Sequence, residues 1–152
     1  MPTALRLLPA LSPEHRERLM SVAREVSFPA DGPIFEAGGT ADRFWVVRSG
    51  TVSLYQRVLA ERRITVAQLG PGDLLGWSWL FRPHTWDFGA EAFSPVRAYE
   101  FDASAVMETC GKDLVLNLAL YAYVAGVIAD RLRATRIRLL DLYAPYGAGP
   151  VP

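Results

Sequence analysis

The spacing of hydrophobic positions changes twice along the chain. Between about residues 13 and 25, apolar residues recur at helical intervals after Ser12, which can cap a helix, and Pro13, which suits its first turn. From about residue 26 to residue 101 the chain consists of short β-rich runs separated by glycine, proline and aspartate. From about residue 113 to residue 142 the helical period returns. This pattern predicts a helix, a block of strands and a long helix, in that order.

The strand block is typical of an antiparallel fold, because its runs follow each other at ~8–12 residues with turn residues between them. Two runs meet near Ser49 and Gly50, where glycine supplies the positive φ of a tight turn. A further hairpin with a polar tip is predicted over residues 58–64. We therefore predict a mainly β fold, a double-stranded β-helix or jelly-roll barrel, flanked by an N-terminal helix and a long C-terminal helix.

Apolar residues on the long helix advance in alternating steps of four and three. This heptad spacing is typical of a helix that pairs along a seam, and about four heptads exceed what a small monomer buries. We expect homodimerisation through this helix, while packing on its own barrel alone is the alternative. The basic residues Arg131, Arg133, Arg136 and Arg138 are interpreted as a solvated face. The predicted dimer contacts are Leu118, Tyr121, Ala125, Ile128, Leu132 and Leu139.

Composition and charge narrow the class of protein. The chain has 152 residues, 51% of them hydrophobic and 21% charged, which fits one globular domain. Sixteen basic and sixteen acidic residues cancel, so there is no general attraction to nucleic acid or to an anionic membrane. Cys110 is the single cysteine, and the N-terminus lacks a signal-peptide core. Residues 114–129 are apolar but shorter than the ~20 residues of a membrane span. We expect a cytoplasmic protein without membrane insertion.

The reactive side chains form no catalytic or metal-binding pattern. Metal-binding jelly rolls use several histidines that point into the barrel, whereas here only His84 lies in the strand block and His15 lies on the first helix. The chain has no G-x-S-x-G elbow and no Walker loop. We expect no enzyme and no metal site, and the sequence names no cofactor. His84 is interpreted as a surface residue, with axial ligation as the alternative.

Three glycine-containing segments carry a resemblance to a known family: residues 34–38, 44–52 and 69–76. Together with the order of elements, they make residues 10–142 resemble the effector domain of the Crp/Fnr regulators and other cyclic nucleotide-binding domains. The resemblance implies a domain over residues 1–142, with its barrel at about 26–101, its dimer helix at about 113–142 and a Pro/Gly-rich tail at 143–152. Regulatory relatives continue into a helix-turn-helix domain. None follows here, so direct DNA binding is not expected.

In this family a phosphate-binding cassette follows the last of those glycines, with a Gly-Glu pair and an Arg nine residues later. Backbone N–H groups bind the phosphate, the Glu accepts a ribose hydroxyl and the Arg neutralises the phosphate. Here Gly76 holds the glycine position, but Trp77 replaces the Glu and Trp86 replaces the Arg. Burying a phosphate without counter-charge costs on the order of several kcal/mol. This departure from the family's cassette predicts a module that has lost cAMP and cGMP binding. If the module still binds a cyclic nucleotide, Arg82 is the candidate for the substitute cation.

Aromatic residues crowd the segment that replaces the cassette. Their rings either fill the cavity, which leaves a scaffold, or line a pocket for a different effector. The main expectation is a non-enzymatic regulatory or sensor module. The alternative is a receptor for an aromatic metabolite, a porphyrin or an atypical cyclic nucleotide that controls a partner protein. The predicted pocket residues are Gly76, Trp77, Ser78, Trp79, Arg82, Trp86, Asp87 and Phe88.

Overall fold

Two four-stranded antiparallel sheets pack face to face, and short helices precede them and a long helix follows them in the chain. The computed structural model describes residues 6–59 and 62–147, with side chains through residue 144. Helices α1 and α2 come first, then strands β1 to β8, a 3₁₀ helix between β6 and β7, and helices α3 and α4. The elements are α1 (Leu7–Ala10), α2 (Pro13–Met20), β1 (Ala23–Phe28), β2 (Pro33–Phe35), β3 (Arg43–Ser49), β4 (Val52–Arg57), β5 (Arg63–Leu69), β6 (Leu74–Leu75), the 3₁₀ helix (Ser78–Leu80), β7 (Gly89–Ala92), β8 (Val96–Asp102), α3 (Ala103–Gly111) and α4 (Leu114–Gly147).

The sheets have the strand orders β1-β8-β3-β6 and β2-β7-β4-β5. Neighbours in each sheet are mostly distant in sequence, so the chain crosses repeatedly between the sheets, as in a jelly roll. The turn at Gly50 makes one crossing, because β3 and β4 belong to different sheets. Gly50 has φ +87°, and a Cβ there would lie 2.1 Å from the Pro95 carbonyl oxygen, so only glycine fits. The mainly β jelly-roll prediction is confirmed.

Strand register separates the core into two layers. Val26 and Val47 both pair with Ala98, which places the three on one face of the first sheet together with Trp45. The Trp45 ring stacks on Phe35 of the second sheet, 5.6 Å between ring centroids, so this face lies between the sheets. The opposite face carries Phe44 and Phe101, which are fully buried. Both faces of the first sheet are therefore apolar in the centre, one towards the second sheet and one towards the helices.

The first predicted helix is too long. Helix α2 begins at Pro13 after the Ser12 cap, as predicted, but it ends at Met20 rather than near residue 25. The chain enters β1 at Ala23, and its six residues pair with β8 as far as Phe28. Backbone pairing with β8, a distant strand, continues along this whole run, and it overrides the local helical spacing. The strand block accordingly begins before residue 26.

Helix α4 begins at Leu114 and continues past the predicted end at Leu142 to Gly147. The predicted Pro/Gly-rich tail from residue 143 is therefore helical as far as Gly147, and residues 148–152 lie outside the described part of the chain. At 34 residues the helix is ~50 Å long at 1.5 Å per residue. The residues that bury one face against the barrel are Leu116, Leu120, Tyr123, Val124 and Val127.

The basic face of α4 is only partly solvated, which corrects the sequence interpretation. Arg133 and Arg136 are exposed, as predicted. Arg131 is largely withdrawn from solvent and donates to the Leu74 carbonyl oxygen at 2.6 Å. Arg138 is exposed but donates to the Val66 carbonyl oxygen at 2.8 Å. Two of the four arginines therefore bind the barrel, because backbone carbonyl groups at the sheet edges lie within their reach.

Asp113 joins the N-terminal helices to the start of α4. Its Oδ1 accepts the Leu116 backbone N–H at 3.1 Å, and its Oδ2 contacts Arg18 and lies 3.5 Å from His15 Nε2. The hydrogen bond from Leu116 and then the nearby positive charge of Arg18 and His15 lower the pKa of Asp113. A carboxylate thus caps α4 and ties it to α2.

We predict that Asp113→Asn lowers stability at neutral pH, because asparagine keeps the cap but removes the charge. A group whose pKa is lowered on folding stabilises the protein above its ordinary pKa of about 4 and loses this contribution as the pH falls through the folded value. The difference in the free energy of unfolding between the unmodified chain and Asp113→Asn, measured in urea, should therefore become smaller below about pH 4. Asp87→Asn, at an exposed position, is the control. A pH-independent difference would contradict the prediction.

Candidate ligand-binding site

The candidate site is built on the turn that follows β6. Leu75 pairs with Trp45 of β3, and the chain then turns at Gly76, which has φ +89°. A Cβ on Gly76 would lie 2.9 Å from Cζ3 of Trp86, so glycine is required both by the backbone and by the ring that covers it. The 3₁₀ helix at Ser78–Leu80 comes directly after this turn. Gly76, the predicted cassette glycine, is thus in close contact with Trp86, which the resemblance aligns with the cassette arginine.

Trp86 fills the space between the sheets beside Gly76. Its side chain is 6% exposed. Its ring stacks on Phe35 with 4.0 Å between centroids, and it lies 6.0 Å from the Trp45 ring. The backbone is held as well, since Trp86 donates to the Gly39 carbonyl oxygen at 2.9 Å and its own carbonyl oxygen accepts from Gly38. Three parallel or tilted rings therefore form one packed group that extends from β2 to β3.

The other predicted pocket residues do not gather around this group. Trp79 is buried on the opposite side of β3, stacked on Phe44 with 5.0 Å between ring centroids. Trp77 is half-buried and meets Phe81 edge to face. Of the remaining members, Ser78 is buried, Phe88 is half-buried, and Arg82 and Asp87 are exposed. The structure thus brings Gly76 and Trp86 together and places Trp79 on the opposite face of the first sheet.

His84 is exposed, and its Nδ1 lies 3.0 Å from the Trp79 carbonyl oxygen. This contact joins two residues within the segment that connects β6 to β7. Among the residues that the structure describes, no group of three or more histidine, cysteine or acidic side chains is arranged to hold a metal ion.

A cleft of about 290 Å³ opens at the barrel end next to the Trp86 ring. Its wall includes the rings of Phe35, Trp45 and Trp86, and its polar lining includes Arg43 and Glu100. A cleft with aromatic walls and a few charged groups is the usual form of a small-molecule site. Sequence reasoning missed this cleft, because Arg43 and Glu100 are far apart in the chain and meet only through the pairing of β3 with β8.

Glu100 is the buried charge of this cleft. Its Oε2 accepts the Trp45 indole N–H at 2.9 Å, and its Oε1 accepts from Arg24 at 2.6 Å and from Arg43 at 3.4 Å. These partners satisfy both oxygens, which allows a carboxylate to remain in an apolar strand. The sequence contained one indication that Glu100 is buried. In the alternating run of β8, Glu100 occupies a position whose side chain faces the space between the sheets.

Arg131 is a half-buried charge whose contact with the barrel sequence reasoning missed. Its guanidinium lies on the Leu74 carbonyl group, two positions before Gly76, and near Asp73. Burial lowers its pKa, while the negative charge of Asp73 acts in the opposite direction. Nearby Tyr123 is also withdrawn from water, and burial raises its pKa to about 12. A cation therefore lies under the strand that leads into the cassette.

These features define an effector-domain jelly roll: an eight-stranded roll within the described part of the chain, a glycine-initiated cassette turn and a long helix behind it. The sequence profile of the cyclic nucleotide-binding domain matches residues 25–113, more than half of the chain. The chain belongs to the cyclic nucleotide-binding domain family.

Two regulators are similar in sequence. The cyclic AMP receptor protein of Thermus thermophilus is 30% identical over 134 residues, which cover 88% of this chain and 60% of that protein. The CRP-like cAMP-activated global transcriptional regulator of Mycobacterium tuberculosis is 29% identical over 117 residues, 77% of this chain and 50% of that protein. This chain thus spans less than two thirds of either relative.

Solved structures agree with this assignment. The catabolite activator protein of Thermus thermophilus superposes with a TM-score of 0.74 at 26% identity, over 90% of this chain and 62% of that one. The N-terminal domain of a transcriptional regulator from Streptomyces coelicolor superposes with a TM-score of 0.69 at 26% identity, over 88% and 90% of the two chains. The predicted resemblance to this family is confirmed.

The segment Leu114–Ala144 of helix α4 is long and apolar enough to cross a membrane by length and composition alone, a criterion that the core helix of a soluble protein also meets. Only 28% of its most apolar window is buried inside the structure.

We predict that Trp86→Ala destabilises the protein by ~3–5 kcal/mol, because it removes a large buried ring from a packed group. Equilibrium unfolding in urea measures this loss. Indole added at millimolar concentration should restore part of the stability of the variant by entering the cavity, and it should have no such effect on the unmodified chain. Trp77→Ala, at a half-buried ring, should cost clearly less. Equal losses for the two variants would contradict the packing described for Trp86.

Proposed function

We propose that the protein is a non-enzymatic, homodimeric regulatory module of the cytoplasm in which the cassette no longer binds cAMP or cGMP. The observation that carries the proposal is the position of Trp86, whose buried ring fills the inter-sheet space beside Gly76. The similar proteins named above are a receptor and a regulator of transcription, which supports a regulatory role.

Charge supports the same conclusion. A bound phosphate needs a cation in an apolar cavity, and an indole at position 86 supplies none. Arg82 is exposed, and Arg131 is already engaged by the Leu74 carbonyl group with Asp73 close by. Trp77 likewise offers no acceptor to a ribose hydroxyl. The proposal therefore rests on the absence of a carboxylate at position 77 and of a cation at position 86, while the nearby Arg43 is already paired with Glu100.

We predict that cAMP and cGMP at about 1 mM leave the melting temperature unchanged. A ligand with a dissociation constant near 1 μM would stabilise the folded state by ~4 kcal/mol at that concentration, which a thermal-shift assay detects easily. The Thermus thermophilus cyclic AMP receptor protein is the positive control. The doubly substituted chain Trp77→Glu/Trp86→Arg should gain a shift, while Trp77→Gln/Trp86→Gln should not. A clear shift of the unmodified chain would refute the proposal.

The exposed residues of α4 support self-association. Leu118 is 71% exposed and Leu132 is 66% exposed, and Tyr121, Ala125 and Leu139 are exposed on the same seam. This face lies away from the one that packs on the barrel, so a second copy of the helix can cover it. Ile128 differs from the other predicted contacts, because it is half-buried and packs against the barrel core.

We predict that Leu132→Glu converts the dimer to a monomer, because two carboxylates would meet in the apolar seam. Light scattering coupled to size exclusion measures the mass directly. The matched control is Ile137→Glu, which is 57% exposed and lies about 140° further around the helix. It should remain dimeric. An unchanged mass for Leu132→Glu, or equal dissociation of both variants, would exclude this seam.

The alternative function is a receptor for a different effector, favoured by the cleft beside Trp86. Its aromatic wall and its Arg43 and Glu100 lining suit a small planar molecule with polar substituents. The absorbance spectrum of the purified protein tests a porphyrin directly, and a thermal-shift screen of aromatic metabolites tests the wider class. Any hit should be lost in Glu100→Gln if the ligand occupies this cleft.

A further inference from the structure

Beyond Val127, helix α4 buries no further apolar side chain in the described part of the chain. Ile128 is half-buried, and Leu132, Ile137 and Leu140 are exposed. Apolar packing therefore does not account for the position of the second half of the helix against the barrel. Some other interaction must hold it there.

Two arginines supply that interaction. Arg131 donates to the Leu74 carbonyl oxygen at 2.6 Å and Arg138 to the Val66 carbonyl oxygen at 2.8 Å. They are seven residues apart, which places both on the same face of the helix. Hydrogen bonds from a guanidinium are charge-assisted and stronger than those between neutral groups. The two hydrogen bonds thus connect the same face of α4 to the barrel at two points along the helix.

Both acceptors belong to edge strands. Leu74 lies on β6, the last strand of the order β1-β8-β3-β6, and Val66 lies on β5, the last strand of β2-β7-β4-β5. Carbonyl groups on the outer side of an edge strand have no strand to pair with. The two arginines therefore bind one edge of each sheet.

Val66 also lies at a β-bulge in β5. Leu54 of β4 pairs with Ala67 and the next residue, Tyr55, pairs with Thr65, so Val66 is the extra residue of β5. A bulged residue leaves its ladder locally unpaired. Arg138 binds the carbonyl group of this residue, so the contact replaces a bond that the sheet cannot make itself.

We propose that Arg131 and Arg138 form a two-point clamp that fixes the register of α4 on both sheet edges. The clamp couples the second half of α4 to β6, whose chain enters the cassette turn two residues after Leu74. A displacement of β6 is then transmitted to α4, and a rotation or slide of α4 breaks both bonds. This device lies within one chain, and it requires neither the proposed dimer nor a bound effector.

Hydrogen exchange measured by mass spectrometry tests the clamp, with each variant made in the full chain carrying Leu118→Glu. This background removes the seam contact, so the outcome does not depend on dimerisation. Arg138→Met should accelerate exchange in residues 132–143 by about tenfold, as expected for loss of a charge-assisted hydrogen bond. Arg131→Met should accelerate the same residues and also residues 74–80.

The matched controls are Arg133→Met and Arg136→Met, which make the same change on exposed faces of the same helix. They should leave both segments unchanged. Rates in Arg138→Met equal to those of the controls would overturn the clamp. An effect of Arg131→Met confined to residues 74–80 would overturn the coupling. If Arg131→Met fails to fold, Arg131→Lys keeps the charge on a shorter donor. Exchange should then accelerate in the same residues, but by a smaller factor.

Discussion

The packing of aromatic rings between the two sheets is the interaction on which the candidate site depends. Trp86 lies on Phe35 and against Trp45, with Gly76 directly beneath its edge. Protein interiors are filled to crystal-like density, so a ring in this position and a ligand of similar size exclude each other. The Trp86 ring thereby adds core volume at the position where the resemblance to the family predicts a charged cassette residue. The proposed loss of nucleotide binding follows from this one exchange.

The buried charges of the domain lie on either side of that aromatic group. Glu100 closes the end of the inter-sheet space and is neutralised by Arg24 and Arg43. Arg131 lies under the strand before the cassette and is engaged by a backbone carbonyl group. A buried charge is tolerable only with such partners, and each partner comes from a different element. The ion pairs of Glu100 therefore add side-chain contacts between strands that already pair, and the Arg131 hydrogen bond connects α4 to β6.

Helix α4 shows how one element serves two surfaces. Leu116, Leu120 and Val127 bury one face against the barrel, whereas Leu118 and Leu132 remain exposed on another. A helical period with apolar residues on two faces requires two partners, and a single barrel supplies only one of them. The proposed second copy covers the remaining face. The arginine contacts then keep the outer half of the helix in a defined position relative to both partners.

Periodicity and residue type, which are local properties, were enough to predict the jelly roll, the long helix with its apolar seam, the Ser12 cap and the positive φ at Gly50. Strand pairing and packing, which depend on residues far apart in the chain, were decided only by the tertiary structure. Because β1 pairs with β8, helix α2 ends at Met20 rather than near residue 25. They also placed Trp79 and Trp86 on opposite faces of one sheet and brought Arg131 onto the Leu74 carbonyl group. No local pattern encodes these contacts, since each forms only when distant segments meet.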